Sequence, residues 1–388
     1  MAVRTLTTQI AAGGSEAAST RLAARDAARQ AAEEIHGEID LAVVLLSPHH
    51  LVEAHAAVFE VEKVLAPKQL IGCVAQGVLA RGRELESGPG VAVWAASLPG
   101  ADIQTFHADA IETEEGVVFD GIPSFRDASL LLLLADPYAF PVDRLLDSVN
   151  DERPGLPVVG GVAIGGGQPG LQALVGGGEI NGTGAVGALI TGAPALALVS
   201  QGCAPIGPDL VITAAEGNLV HELAGRRALD VLRSVVGGLS PREQILAAQG
   251  VLAGLVIDEN QPEYGRGDYL MRGLFGGEPV SGAVAVGAPV RIGQTLRFHV
   301  RDAETADDDL RRALDEALAA GTPAGALLFT CNGRGTNLFA EPDHDARLVS
   351  GALGPGVAGF FCGGEIGPIG GRPFLHGFTA TLAVFLRD

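Results

Sequence analysis

The chain alternates short apolar runs with polar or glycine-rich segments, and one order of predicted elements recurs along it. An apolar run that predicts a buried strand is followed by a segment of helical period and then by a second apolar run. A glycine-containing loop and a third apolar run complete the unit. The unit occurs three times, with first strands predicted at Leu41–Leu46, Leu130–Leu134 and Ala326–Thr330.

The three units align when Gly72, Gly160 and Gly359 are placed in register, which indicates an internal repeat. Their spacing is irregular, so a solenoid is excluded. We therefore predict a mixed α/β (α+β) fold. It has two related lobes built from repeated strand-helix-strand-strand units with Gly-rich loops, and helices cover the sheets.

A different pattern separates the second and third units. Successive short apolar runs predict an additional antiparallel set of strands between Leu252 and Val300. Ser240, Pro241 and Glu243 are typical of a helix start, with serine as the N-cap and proline in the first turn.

The last unit carries most of the unusual polar residues of the chain. Its first strand ends at Cys331, Asn332 and Arg334, and its second strand is followed by Glu365 after a pair of glycines. Because loops on a rigid scaffold commonly carry binding groups, this segment is the candidate site.

These motifs resemble the C-terminal half of a FIST protein. The similar runs are Phe329–Arg334 (FTCNGR), Glu341–Asp345 (EPDHD), Ala358–Pro368 (AGFFCGGEIGP) and Phe374–Thr379 (FLHGFT), in the order expected of that family. Further similarity at 202–207, 269–273 and 296–302 extends the resemblance over roughly residues 38 to 380.

The resemblance implies a FIST N-like lobe at residues 1–200 and a FIST C-like lobe at 201–388. It implies a bacterial sensory protein of signal transduction that binds a small ligand, such as an amino acid. Since no output domain is recognised in the sequence, we expect a signalling protein partner in trans. Ligand identity and homo-oligomer formation stay open.

Composition narrows the function classes. The 388 residues are 47% hydrophobic and 19% charged, with a net charge of −20. This balance is typical of a globular protein, and it disfavours nucleic acid as a partner. With no signal peptide and no apolar run of about 20 residues, we expect a cytoplasmic protein without membrane insertion. The four scattered cysteines predict neither a zinc site nor a disulfide scaffold.

For an amino-acid ligand, Arg334 is the predicted carboxylate-binding residue, because its planar fork matches a carboxylate. Asn332 and Cys331 would line the same site. Arg272 and Arg372 are alternatives to Arg334, and Glu365 suits the ligand's ammonium group. The structural alternative for Arg334 is a salt bridge to one of three acids, Glu341, Asp343 or Glu365.

Two other interpretations remain open. Cys331 would be the nucleophile of an enzyme if His344 or His376 served as its base, although a buried structural thiol is the simpler interpretation. A structural or interaction module is the third possibility. Asp343, His344 and Asp345 follow Pro342 and favour a helix cap over a metal site. We expect neither a metal nor a cofactor.

Overall fold

The computed structural model describes residues 7–114 and 116–387, and its fold is mixed α/β, as predicted. Contacts divide the chain into two compact units. The larger unit comprises the chain up to Ser200, Leu310–Leu375 and the chain from Thr379 onwards. The smaller unit comprises Gln201–Asp309 and His376–Phe378. The division into these units rests on contacts within the structure. The predicted boundary between a FIST N-like lobe (1–200) and a FIST C-like lobe (201–388) is a different division, and it stays a prediction.

Strands and helices are numbered in chain order. The strands are β1 (Gln9–Ser15), β2 (Leu41–Leu46), β3 (Gln69–Val74), β4 (Val78–Ala80), β5 (Arg83–Leu85), β6 (Val91–Ser97), β7 (Asp102–Thr113), β8 (Gly116–Asp120), β9 (Leu130–Ala135), β10 (Val158–Ala163), β11 (Leu174–Gly176), β12 (Glu179–Asn181), β13 (Ala185–Thr191), β14 (Ala195–Gln201), β15 (Cys203–Glu216), β16 (Leu219–Leu223), β17 (Arg226–Arg227), β18 (Val251–Val256), β19 (Tyr269–Gly277), β20 (Val284–Val286), β21 (Thr295–Arg301), β22 (Pro323–Cys331), β23 (Val357–Ile369), β24 (Arg372–His376) and β25 (Thr379–Leu386). The α-helices are α1 (Thr20–Ala32), α2 (Ala54–Leu65), α3 (Val142–Glu152), α4 (Ala228–Gly237), α5 (Pro241–Ala248), α6 (Ala303–Ala320) and α7 (His344–Leu353).

The larger unit has four layers, with two sheets between two sets of helices. One sheet has the strand order β1-β6-β2-β3-β11-β12, and the main path of the other is β14-β25-β22-β23-β10-β9-β13-β7-β8. Apolar side chains of both sheets, including Trp94 and Phe385, form the central core. Helices α1 and α2 cover the outer face of the first sheet. Helices α3, α6 and α7 cover the outer face of the second.

The predicted internal repeat is confirmed by strand pairing. The pairs β2–β3, β9–β10 and β22–β23 are parallel, and in each case the first strand also pairs antiparallel with the third strand of its unit. The three aligned glycines share one local environment. A Cβ at Gly72, Gly160 or Gly359 would lie 2.1, 1.8 or 1.7 Å from a backbone oxygen of the preceding parallel strand. The repeated glycines therefore allow close strand approach.

The smaller unit is built on an antiparallel sheet that closes on itself. Its order is β15-β21-β18-β19-β20-β16, and β16 pairs with β15. This confirms the predicted antiparallel strands between Leu252 and Val300. Helix α5 has the predicted capping box: Glu243 N donates to Ser240 Oγ at 3.4 Å, and Ser240 N donates to Glu243 Oε2 at 2.9 Å.

The long strand β7, its neighbour β8 and the short strands β11 and β12 were not predicted. Two further departures from the sequence prediction lie at the candidate site. Strand β23 continues to Ile369, so Glu365 lies inside a strand and not in a glycine loop. The hairpin of β4 and β5 was missed altogether, because its two strands have only three residues each. Among the described residues, the helices are all too short or too polar to cross a lipid bilayer.

Candidate functional site

The candidate site begins where β22 ends at Cys331. Asn332 N donates to Cys362 O of the neighbouring strand β23 at 2.9 Å, and the chain then turns, since Arg334 N donates to Cys331 O at 2.8 Å. Gly335 follows with a φ of +54°, and a Cβ there would lie 2.7 Å from the Glu86 carboxylate. Glycine is needed here because the backbone is left-handed and approaches another chain segment closely. These bonds place Asn332 and Arg334 beside the strand end.

Arg334 forms a buried, bidentate ion pair with Asp345. Its Nε lies 2.7 Å from Asp345 Oδ2 and its Nη2 lies 2.9 Å from Oδ1. The two residues are 1% and 0% exposed. Thr330 Oγ1 also donates to Asp345 Oδ2 at 2.9 Å, and the guanidinium lies 5.3 Å from the centre of the Phe339 ring. The predicted structural salt bridge is thus present, but its partner is Asp345 and not one of the three acids expected.

The ion pair stays charged despite its burial. Burial alone would raise the pKa of Asp345, but Arg334 and His344 hold that pKa well below its ordinary value. Burial alone would also lower the pKa of Arg334, and the Asp345 carboxylate overcomes this effect. A buried charge pair of this geometry fixes the side chains firmly, because either charge alone would be strongly unfavourable.

Glu365 is fully buried on β23 and has a different protonation state. Its Oε2 accepts bonds from Thr379 N at 3.1 Å and Thr379 Oγ1 at 2.9 Å. Burial raises the pKa of Glu365 to about 8, although Thr379, Arg334 and Cys331 each oppose the increase. The carboxyl group is therefore mostly protonated at neutral pH. Because Arg334 and Cys331 both lower its pKa, these two residues lie close enough to Glu365 to interact with it electrostatically.

Several buried polar atoms of this region have no hydrogen-bond partner within residues 7–114 and 116–387. They are Asn332 Oδ1, Arg334 Nη1, Glu365 Oε1 and Thr381 Oγ1. Arg334 Nη1 is a charged donor, Asn332 Oδ1 is an acceptor, and the other two are oxygens that can donate or accept. Since buried polar atoms are almost always hydrogen-bonded in folded proteins, this concentration is what makes the region the candidate site.

Strand β5 and the residue that follows it supply two site residues, Glu84 and Glu86, that the sequence did not reveal. Glu84 Oε1 accepts from Ala346 N at 3.0 Å, so it caps the first turn of α7 from a distant part of the chain. Glu86 accepts from Thr336 N at 3.0 Å and from Thr336 Oγ1 at 2.8 Å. The two carboxylates hold the segment that carries Arg334 at two points. Nothing local in the sequence marks them, since their role depends on pairing between β4 and β23.

Asp343 occupies the predicted N-cap position, but its side chain does not cap α7. Its Oδ1 accepts from Glu84 N at 2.7 Å, and its Oδ2 lies 3.2 Å from Arg83 Nε. The capping prediction was therefore wrong in mechanism, because a carboxylate from the hairpin takes the cap. No cluster of three metal-ligating side chains is found in the part of the chain that the structure describes.

The other predicted residues have separate settings. Arg372 is exposed at the start of β24, with its guanidinium 5.9 Å from the centre of the Phe374 ring. Arg272 and His376 belong to the smaller unit. His344 Nδ1 lies 3.0 Å from Asp345 Oδ1, and its ring stacks on Phe339. The cluster of the larger unit thus brings together Cys331, Asn332, Arg334 and Glu365, four of the six predicted ligand-binding residues.

Comparison with known proteins identifies the family of this chain. The FIST N domain model matches residues 40–226, and the FIST C domain model matches residues 228–368. The chain therefore belongs to the FIST family, whose domains are associated with small-ligand sensing in signal transduction.

Two relatives illustrate how much of the chain this similarity covers. An uncharacterized protein of Mycobacterium tuberculosis is 45% identical over 383 residues, which are 97% of this chain and 100% of the relative. An uncharacterized protein of Mycobacterium bovis is 44% identical over 373 residues, which are 95% of this chain and 96% of the relative. The similarity thus extends through both matched domains.

Proposed function

We propose that this protein is a cytoplasmic sensor that binds an amino acid at Asn332, Arg334 and Glu365 and signals through a partner protein. The observation that carries the proposal is the set of buried polar atoms without partners at these three residues. The family's association with ligand sensing supports the role, and the side chains support the ligand class.

The polar atoms have the complementarity that a zwitterion requires. Arg334 Nη1 is a charged donor for the ligand's carboxylate, and it remains available while Nε and Nη2 bind Asp345. Asn332 Oδ1 is an acceptor for the ligand's ammonium group, and Glu365 Oε1 becomes one when its carboxyl group loses its proton. The ion pair with Asp345 holds the guanidinium in place before the ligand arrives, which lowers the entropic cost of binding.

The ammonium contact makes binding depend on pH. The pKa of Glu365 is about 8 because the side chain is buried. A bound ammonium favours the ionised carboxylate, so binding at about pH 7 releases a proton from Glu365. Calorimetric titrations with the ligand in buffers of different ionisation enthalpy measure this proton. The release is expected in the wild-type protein and absent in Glu365→Gln.

The experiment that tests the proposal compares two asparagine variants. In each, the side chain that is removed has a buried oxygen without a partner among the described residues. Asn332→Ala lies in the cluster, and Asn150→Ala, the control, lies on α3. After a thermal-shift screen of free amino acids, Asn332→Ala is expected to weaken binding of the hit at least tenfold, while Asn150→Ala binds as the wild type does. Equal affinities for the two variants would refute the assignment of the site.

A further inference from the structure

A pair of thiols lies at the edge of the same cluster. Cys331 and Cys362 are direct partners in the parallel register of β22 and β23. Register partners on adjacent strands are separated by about 4.8 Å between Cα atoms and present their side chains on the same face. That separation is within the range of about 4.4–6.8 Å that a disulfide spans. Two residues earlier, the register partners Phe329 and Phe360 are in ring contact, with centroids 5.4 Å apart.

The two thiols differ in access to solvent. Cys331 is 9% exposed, whereas Cys362 is 0% exposed. Burial raises the pKa of Cys362 well above its ordinary value, and Glu365, Cys73 and Cys331 add to the effect. Cys362 therefore stays a thiol and is shielded from reagents in solution. Cys331 is the member of the pair that a small oxidant reaches first.

We propose that Cys331 and Cys362 form a redox modification site, in which a peroxide converts the two thiols into a reversible disulfide. In the first step, Cys331 sulfur attacks one peroxide oxygen, the O–O bond breaks, and Cys331 becomes a sulfenic acid while water leaves. In the second step, Cys362 sulfur attacks the Cys331 sulfur, the S–O bond breaks, and the hydroxyl leaves as a second water with the Cys362 proton. Two equivalents of an external thiol reverse the reaction.

The disulfide would alter the loop that carries the predicted ligand-binding residues. Cys331 Sγ accepts a bond from Gly333 N at 3.3 Å, and Cys362 O accepts from Asn332 N. Turning Cys331 Sγ toward Cys362 removes the first bond and shifts the start of the loop. Only this consequence rests on the proposed function, because disulfide formation itself requires no ligand.

The test counts thiols in the full-length protein. The folded protein is treated with hydrogen peroxide, denatured, and alkylated, and its intact mass is measured. Of the four cysteines, two are expected to resist alkylation after oxidation and to be recovered with dithiothreitol. Peptide mapping should show a Cys331–Cys362 link. Full alkylation of all four cysteines, or a Cys331–Cys73 link, would overturn the proposal.

Three cysteine variants test which residues form the disulfide. Cys331→Ser and Cys362→Ala are each expected to abolish the disulfide, while Cys203→Ser, a buried cysteine of the smaller unit, should leave it unchanged. If Cys362→Ala does not fold, the mapped disulfide in the wild-type protein decides the question. Thiol counting and peptide mapping use no ligand. Their outcome therefore tests the disulfide independently of the proposed amino-acid site.

Discussion

At the scale of single residues, the Arg334–Asp345 ion pair places two charges where water does not reach them. Both side chains are almost completely buried, and the contacts of 2.7 and 2.9 Å are close to ideal. A buried pair contributes little net stability, but removing one partner leaves the other charge uncompensated. The pair therefore acts mainly to hold one guanidinium nitrogen in a fixed direction.

Arg334→Ala is expected to lower the free energy of unfolding by about 3–5 kcal/mol, because Asp345 would be left buried without its partner. Urea denaturation measures the change. Arg29→Ala removes an exposed arginine from α1 and should cost less than about 0.5 kcal/mol. A loss for Arg334→Ala as small as that of the control would show that the ion pair is not buried in solution.

Glu365 makes stability depend on pH. Its pKa rises on folding from 4.5 to about 8 because of burial. A carboxyl group with a raised pKa stabilises the fold fully below its unfolded pKa, and this stability is lost as pH rises through the folded pKa. The free energy of unfolding should therefore fall between about pH 5 and pH 8. Glu84, with a pKa raised to about 7 mainly by burial, adds to the same trend.

Urea denaturation across this range checks the assignment. Glu365→Gln is expected to flatten the decline, because the amide does not ionise, and Glu84→Gln should flatten it less. Glu62→Gln changes an exposed carboxyl group on α2 and should reproduce the wild-type curve. A decline that is just as steep in Glu365→Gln would mean that Glu365 does not ionise in this range.

At the scale of elements, the β4–β5 hairpin determines how the segment 332–346 is held. Glu86, the residue after β5, binds Thr336, and Glu84 of β5 caps α7, so this short stretch of chain holds the segment at two points. These two carboxylates add to the bonds of Asn332 and Arg334 that hold the start of the segment.

Glu86→Ala should therefore loosen the segment locally. The amide of Thr336 is expected to exchange its hydrogen faster by at least tenfold, while amides in the middle of β22 keep their protection. Hydrogen–deuterium exchange read by mass spectrometry follows both regions. Glu62→Ala is the control, since that exposed carboxylate lies on α2. Unchanged exchange at Thr336 would contradict the role given to the hairpin.

The repeated glycines provide a second prediction at this scale. Gly160→Ala would place a Cβ 1.8 Å from Leu133 O, so the strands must separate. The expected loss in the free energy of unfolding is about 3 kcal/mol, the upper end of the usual cost of overpacking. Gly351 in α7 has open space around it, and Gly351→Ala should raise stability by about 0.5–1 kcal/mol because alanine favours the helix. Similar losses for both variants would refute the close-approach explanation.

The elements also show what the sequence could and could not predict. The repeated strands were predictable, because their apolar runs and their glycines repeat in register, whereas their parallel pairing was not. The continuation of β23 through Glu365 was not, since three neighbouring glycines are typical of a loop in sequence. Asp345 and Glu84 were missed as partners of the Arg334 segment because only tertiary contacts bring them there. The polar residues at the end of β22 were predictable as site candidates, because they come immediately after an apolar run that is typical of a buried strand.

At the scale of the whole molecule, the sequence belongs to the FIST family over both matched domains, and the larger unit holds the candidate site. The protein carries a net charge of −20, and the site contains a buried arginine with one nitrogen that has no hydrogen-bond partner among the described residues. A ligand that carries both a carboxylate and an ammonium group would satisfy this arginine and the nearby acceptors together.

The most direct measurement is therefore a thermal-shift comparison of matched ligands: an amino acid, the amine that lacks its carboxylate, and the carboxylic acid that lacks its amino group. One or a few amino acids are expected to raise the melting temperature, by an amount that reflects about 2.7 kcal/mol of added stability at 100 times the dissociation constant. Neither truncated analogue should do so at the same concentration. Equal shifts from an amino acid and its amine would contradict the role assigned to Arg334, and the absence of any shift with folded protein would contradict the amino-acid site itself.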